Sequence, residues 1–377
     1  MSNLKILFIT SSEPNQGDLY FKGLKTILRS NCVEWPYKAL YHLSNKNGKL
    51  LGCDLDGKLE IEEDDSGFLV NKKDSWKTPK HFGCINDEKY EYRQLPNLSD
   101  FDVILFNFLR SKLQKSIMRK VLHDKSIKTP IFFIDGEDDP FVKAFYLSSK
   151  IKGYFKREIL SSFSVNKYYI EKWFKNYAYR LLNEKLNISS FLFPAVIGFP
   201  KLVSLNLTVG TDIPYKVAND KTIDISFISS IASPYRLELY KFLKKYIRKR
   251  NLKAYLKTTG KGDWIPYTEY QKILSSSKLS ISVQGAGFDT YRYWEVPFYG
   301  STLVSQKPFI FIENNFVDGE SAIFFRNFKE LERKLDYYLL KDKWEMICKN
   351  GQTHFLKYHT HIHRAKKILE VIEKFFL

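Results

Sequence analysis

Residues 285 to 305 read GAGFDTYRYWEVPFYGSTLVS. Gly285 and Gly287 carry no side chain, so another group can approach the backbone closely where a helix begins. The first N–H groups of a helix have no partner within it and favour a phosphate. Asp289 or Thr290 could instead cap the same helix from within. Arg292 could add positive charge for a diphosphate. Glu295, one turn further on, could accept two hydrogen bonds from a ribose diol. Arg292 and Glu295 are also i, i+3 neighbours, and a plain surface ion pair at that spacing is worth about 0.2–0.5 kcal/mol.

A second reactive pattern is FIDGEDDP, residues 133 to 140. Asp135 follows the apolar run PIFFI, at the end of a strand, where α/β proteins place functional groups. Its carboxylate could serve as general base for an acceptor hydroxyl. The acids Asp135, Glu137, Asp138 and Asp139 could hold a divalent cation. They could equally stabilise a turn at a helix start. GYFKRE, residues 153 to 158, offers Lys156 and Arg157 as contacts to an acceptor or a phosphate. On a strand these two point to opposite faces, so one faces a cleft.

Other combinations are weaker. His359 and His363 form an HxxxH pair with no third ligand nearby, so no metal site is assigned. Cys32, Cys53, Cys84 and Cys348 lie far apart without a CxxC pair, which argues for free thiols. The acids from Glu62 to Asp65 read as a solvated loop. No phosphate-loop, nucleophile-elbow or HExxH motif occurs.

These residues need a frame. Apolar runs alternate with helical stretches: 4–10, a helix over 17–29, 32–37, 103–107, a helix over 113–122, and 130–134. Unbroken apolar strands separated by helices predict parallel sheets covered on both faces. The polar, glycine-rich stretch 43–85 interrupts this rhythm and reads as an insertion with one or two hairpins. Residues 200–222 read as a linker. A second series follows, with strands at 225–228, 253–256 and 279–283 and helices at 236–248 and 267–274. The stretch 353–376 reads as one long helix. The expected fold is α/β, two Rossmann-like doubly wound domains facing a central cleft, 1–205 and 206–350, and a C-terminal helix over 351–377 that packs back on the first.

The 377 residues carry a net charge of +18 with 24 Tyr and 30 Phe, a balance suited to nucleotides, nucleic acid or an anionic membrane face. An AT-rich coding bias would give the same balance. Within the basic, aromatic-rich stretch 141–184, Ile170, Trp173, Phe174, Tyr177 and Leu181 share one helical face, ringed by Lys167, Lys172, Lys175 and Arg180. This suits either an anionic or membrane-borne acceptor or ordinary packing on a sheet. No apolar run reaches the roughly 18 residues that cross a membrane, and the first residues read as a strand rather than a signal peptide. A cytoplasmic protein, with peripheral membrane contact as a variant, is expected.

Glu295 followed five residues later by Gly300 and the strand STLVS resembles the donor-binding helix of GT-B glycosyltransferases. In their retaining group the Glu holds the nucleotide ribose. DTYRYWE is more similar to the spore-coat-maturation and exostosin-like branch, which carries an Arg and a Glu on this helix. The earlier acid of the EX7E pattern falls at Gly287 and is missing, which leaves inverting and retaining chemistry both open. DISFISSIASPYRLELYKFL resembles the first strand and turn of a GT-B donor domain, where a basic residue contacts the diphosphate; Arg236 is the match. FIDGEDDP, GYFKRE and DLYFKGLKTIL resemble N-terminal segments of the same branch.

The resemblance implies a glycosyltransferase using a UDP- or GDP-sugar as co-substrate, with no cofactor and no metal. Donor contacts would come from Arg236, Gly285, Gly287, Asp289, Arg292 and Glu295. Asp135 would be the catalytic candidate, and Lys156 and Arg157 the acceptor or phosphate contacts. The acceptor would be a glycan, a lipid-linked molecule or nucleic acid. The alternative is a non-catalytic protein on the same fold that binds nucleic acid or an anionic glycan.

Overall fold

The structure is a computed structural model. It describes residues 4–10, 17–35, 95–107, 112–161, 198–209, 220–230, 233–259 and 265–377, plus short strands and single residues between them. The 167–184 stretch and most of 43–85 lie outside the described residues. So do Cys53 and Cys84, while Cys32 and Cys348 are buried free thiols.

The first half begins with β1 (Ile6–Ile9) and β2 (Cys32–Trp35). Two antiparallel pairs follow in the insertion: β3 (Leu43–Ser44) with β4 (Leu50–Leu51), and β5 (Ile61–Glu63) with β6 (Leu69–Asn71). The main rhythm then resumes with β7 (Val103–Asn107), β8 (Ile131–Asp135), β9 (Ile151–Lys156) and β10 (Leu202–Ser204). Six of these strands form an all-parallel sheet in the order β10-β9-β8-β7-β1-β2. Strand residues alternate between two cores, as a period of two requires. Ile6, Phe8, Val103 and Leu105 face one cluster with Leu19 and Leu24, whereas Leu7, Ile9, Ile104 and Phe106 face another with Met118 and Val121. The helices Gly17–Leu28 and Lys112–His123 supply those partners.

The second sheet has five parallel strands: β11 (Ile223–Ser230), β12 (Ala254–Thr259), β13 (Ser277–Ser282), β14 (Thr302–Gln306) and β15 (Ile323–Phe325). Their order is β12-β11-β13-β14-β15. The chain leaves β11 to one side for β12, then crosses back to the other side for β13. The carboxyl ends of β11 and β13 therefore flank a topological switch point, where such sheets hold ligands. The helix Pro234–Arg250 covers one face. Ser233 caps it by accepting from Arg236 N–H at 3.3 Å, and Pro234 opens it.

Two expectations need correction. The presumed linker 200–222 contributes β10 to the first sheet, paired in register with Tyr154–Lys156. The single C-terminal helix is two: Trp344–Tyr358 and His361–Phe376. The break is set by tertiary contacts. The carbonyl of His359 accepts from the Thr208 hydroxyl, and Thr360 adopts an extended backbone. The last helix then crosses back to the first sheet, where a side chain at Gly23 would approach the His361 carbonyl to 2.5 Å.

Candidate functional site at the second switch point

Arg236 lies at the carboxyl ends of β11 and β13, only 7% exposed. Its Nε donates to the Gln284 carbonyl at 2.9 Å and Nη2 to the Val283 carbonyl at 3.3 Å. Nη1 donates to the Ser230 carbonyl at 3.2 Å and its hydroxyl at 3.1 Å. The guanidinium is thus fixed across the switch point by both strands. A Cβ at residue 285 would lie 2.8 Å from Nη2, so glycine there lets the cation lie against the turn.

The turn itself already holds a carboxylate. Glu158, just past β9 in the first half, is fully buried. Its Oε1 accepts from Asp289 N–H at 2.8 Å and its Oε2 from Phe288 N–H at 3.2 Å. A Cβ at Gly287 would overlap this carboxylate, which explains the glycine better than backbone freedom does. Burial pushes the Glu158 carboxyl up to about 7. Asp289 adds to the rise, while Arg157 and the two N–H groups oppose it.

Residue 289 contributes its N–H to this turn, and its side chain turns to other partners. The Asp289 carboxylate accepts from Leu207 N–H at 2.7 Å and from the Trp294 indole at 2.7 Å. Burial raises its pKa, opposed by Arg157, these two hydrogen bonds and Arg364. Arg364 completes the joint between the halves. It donates to the Asn206 and Leu207 carbonyls at 3.1 Å and stacks its guanidinium over Trp294 at 5.0 Å. Burial, then Arg364, holds His359 well below its ordinary pKa. The neutral ring donates from Nε2 to the Asn314 carbonyl at 2.9 Å and accepts from Arg364 at Nδ1, 3.2 Å away. His363 instead meets the Thr360 hydroxyl, and among the described residues no three His, Cys, Asp or Glu gather as a metal site.

The helix Tyr291–Phe298 carries the remaining candidates. Thr290 occupies its N-cap position without a side-chain bond to the helix. Gly300, φ +71, follows its end in the left-handed region that glycine tolerates. Glu295 is fully buried and its Oε2 accepts from the Tyr270 hydroxyl at 2.7 Å. Arg292 stacks over the same ring at 5.7 Å, and its Nε makes no hydrogen bond among the described residues. Tyr270 thus bridges the two charged residues, a partner that spacing along one helix did not reveal.

In the first half, Asp135 ends β8 and is 2% exposed. It accepts from the Tyr154 hydroxyl at 2.5 Å and from Glu137 N–H at 3.1 Å. Lys156 Nζ, fully buried, lies 3.1 Å from its Oδ2 and 3.6 Å from Asp139. Burial alone would lower the Lys156 pKa, but Asp135 and Asp139 outweigh it and raise it. Arg157 is buried as well. It meets Asp138, and its Nε is 3.9 Å from Glu158 Oε1. Both basic residues are therefore enclosed: Gly153 to Lys156 are all buried within β9, so both faces of the strand are covered there, and Arg157 just beyond it is covered too.

The sequence of residues 240–370 matches a family model described as glycosyl transferase-like. The whole chain superposes on solved structures of the same architecture. TarM aligns over 98% of this chain and 99% of its own, with TM-score 0.53 and 9% identity. An alpha-glucosyltransferase in complex with UDP-glucose and DNA containing an abasic site aligns over 98% and 99%, with TM-score 0.52 and 7% identity. The chain shares the GT-B fold of these structures, and residues 240–370 form a glycosyl transferase-like region. A glycosyltransferase from Rickettsia africae ESF-5 aligns over 99% of both chains, with TM-score 0.50 and 11% identity. No curated protein matches the sequence significantly. Identities this low establish the shared fold alone. The family match starts within the helix Pro234–Arg250 and runs through the glycine turn and Glu295.

Proposed function

We propose that this chain is a glycosyltransferase that binds a UDP- or GDP-sugar at the β11/β13 switch point and transfers the sugar to an acceptor entering from the first sheet. One observation carries the reading. Arg236, the 285–289 turn and the helix bearing Arg292 and Glu295 converge on the carboxyl ends of two adjacent parallel strands.

In this reading Arg236 stabilises the leaving diphosphate as charge develops on it. Its fixed hydrogen bonds mean that no reorganisation is needed at that moment. Gly285 and Gly287 leave the turn without side chains, so that a phosphate can approach its backbone, the residue 289 N–H adds a donor, and Arg292 supplies a second cation. These groups provide the electrostatic stabilisation without calling on a metal. Glu295 accepts from the ribose diol, with Tyr270 orienting its carboxylate. Asp135 and Lys156, closed on each other and on the Tyr154 hydroxyl, shape the wall of the first sheet that the acceptor meets.

The net charge of +18 supports a polyanionic acceptor. The alpha-glucosyltransferase of the same fold is in complex with DNA, which adds to that support. A binding protein without transfer is the competing reading, motivated by the same charge. A thermal-shift screen with UDP-, GDP- and dTDP-sugars separates them. Stabilisation by one nucleotide class is expected; no shift with any sugar nucleotide, beside steeply salt-dependent DNA binding, favours the alternative.

A further inference from the structure

Glu158 belongs to the first half, yet both its carboxylate oxygens reach into the second. It is fully buried and accepts from two consecutive N–H groups, those of Phe288 and Asp289. Residue 287 admits it only because it lacks a side chain. A carboxylate on consecutive backbone N–H groups is a bound anion. These are the N–H groups that a phosphate at this turn would use. They cannot serve a phosphate and the Glu158 carboxylate together, and two anions in direct contact repel.

The surroundings give Glu158 a second partner. Arg157 Nε is 3.9 Å from its Oε1, whereas Asp289 offers no donor except its N–H. Asp138 is half-exposed and already meets the same guanidinium. Released from the turn, the Glu158 carboxylate has a cation within a side-chain rotation.

On the strength of the donor site proposed above, we infer that Glu158 occupies the 285–289 turn in the donor-free protein and is displaced by the donor diphosphate. Glu158 is therefore a donor-site residue that opposes binding. Donor entry breaks two hydrogen bonds that join the halves, so occupancy of the turn and the joint between the sheets are linked. A neutral side chain of the same shape holds the turn less well. In the Glu158→Gln protein the amide oxygen accepts one N–H, but the amide NH2 faces the other, donor against donor.

Calorimetric titration of the wild type and Glu158→Gln with UDP, GDP and inorganic pyrophosphate tests this; pyrophosphate probes the diphosphate without a base. Glu158→Gln is expected to bind at least about tenfold more tightly, the result of removing a competing anion. A mere prop for the turn predicts the opposite sign, so equal or weaker binding by Glu158→Gln overturns the inference while leaving the donor site intact. Should Glu158→Gln fail to melt cooperatively, Glu158→Asp, one methylene too short to hold both N–H groups, is expected to show a smaller gain of the same sign. Binding of no probe by any of these proteins overturns the inference together with the donor reading.

Discussion

Both sheets bring charged residues to the carboxyl ends of their strands, but they neutralise them differently. At β8 and β9 the charges meet side chain to side chain: Asp135 with Lys156 and the Tyr154 hydroxyl, all enclosed. At β11 and β13 they meet backbone. Arg236 is held by carbonyls and Glu158 by N–H groups. A closed side-chain pair satisfies itself and acts as structure. A cation fixed by neutral carbonyls keeps its charge, and a turn filled by one anion can accept another. This difference favours the second sheet as the donor site and the first as the scaffold facing it.

The largest effect should come from breaking the first arrangement. Lys156→Ala leaves Asp135 buried beside Tyr154 without its cation, and a loss of about 3–5 kcal/mol is expected in urea unfolding. Lys156→Met with Asp135→Asn should recover most of it. Failure to recover would show that the pair does more than satisfy itself.

Next is the turn. Gly287→Ala pushes a methyl into the Glu158 carboxylate. A loss of about 1–3 kcal/mol is expected. Glu158→Ala should relieve the clash, so the double variant loses less than the sum of the two single ones. Additive losses would mean that the glycine serves backbone conformation instead.

The smallest effect is with pH. Burial raises Glu158 to about 7 in the folded protein, above the ordinary Glu value. A raised acid binds its proton more tightly when folded. Its contribution to stability is therefore present in full below the unfolded pKa of roughly 4.3 and lost as pH rises through about 7. Wild type should lose about 1–2 kcal/mol relative to Glu158→Gln between roughly pH 5 and 7.5. A constant difference between the two proteins would contradict the burial argument.

Much of the frame was legible in the sequence, because strands buried on both faces must be unbroken apolar runs. ILFI, VILFN and IFFID announce β1, β7 and β8 in this way. β10 was not legible: three residues, LVS, carry too little pattern to separate from a loop. The break at His359 was hidden because a helix-compatible stretch is divided by contacts to Thr208, Asn314 and Trp294. The turn and its glycines stood out, and so did Arg236 beside them. Their main partner did not. Glu158 lies 130 residues from Phe288, and no local rule links them. Asp289 shows the converse limit. Its charge was visible, but not that Leu207 and Trp294 take up its carboxylate. The one available signal was Gly287 itself, since a glycine where an acid was expected marks a place that something else fills.

The central claim is that a nucleotide-sugar is held at the β11/β13 switch point. Calorimetry with the UDP- or GDP-sugar that most stabilises the wild type, repeated on Arg236→Ala and Glu295→Ala proteins that still melt cooperatively, tests it most directly. Each variant is expected to lose about tenfold or more in affinity, the scale of a charge-assisted contact. Donor affinity unchanged in both would contradict it.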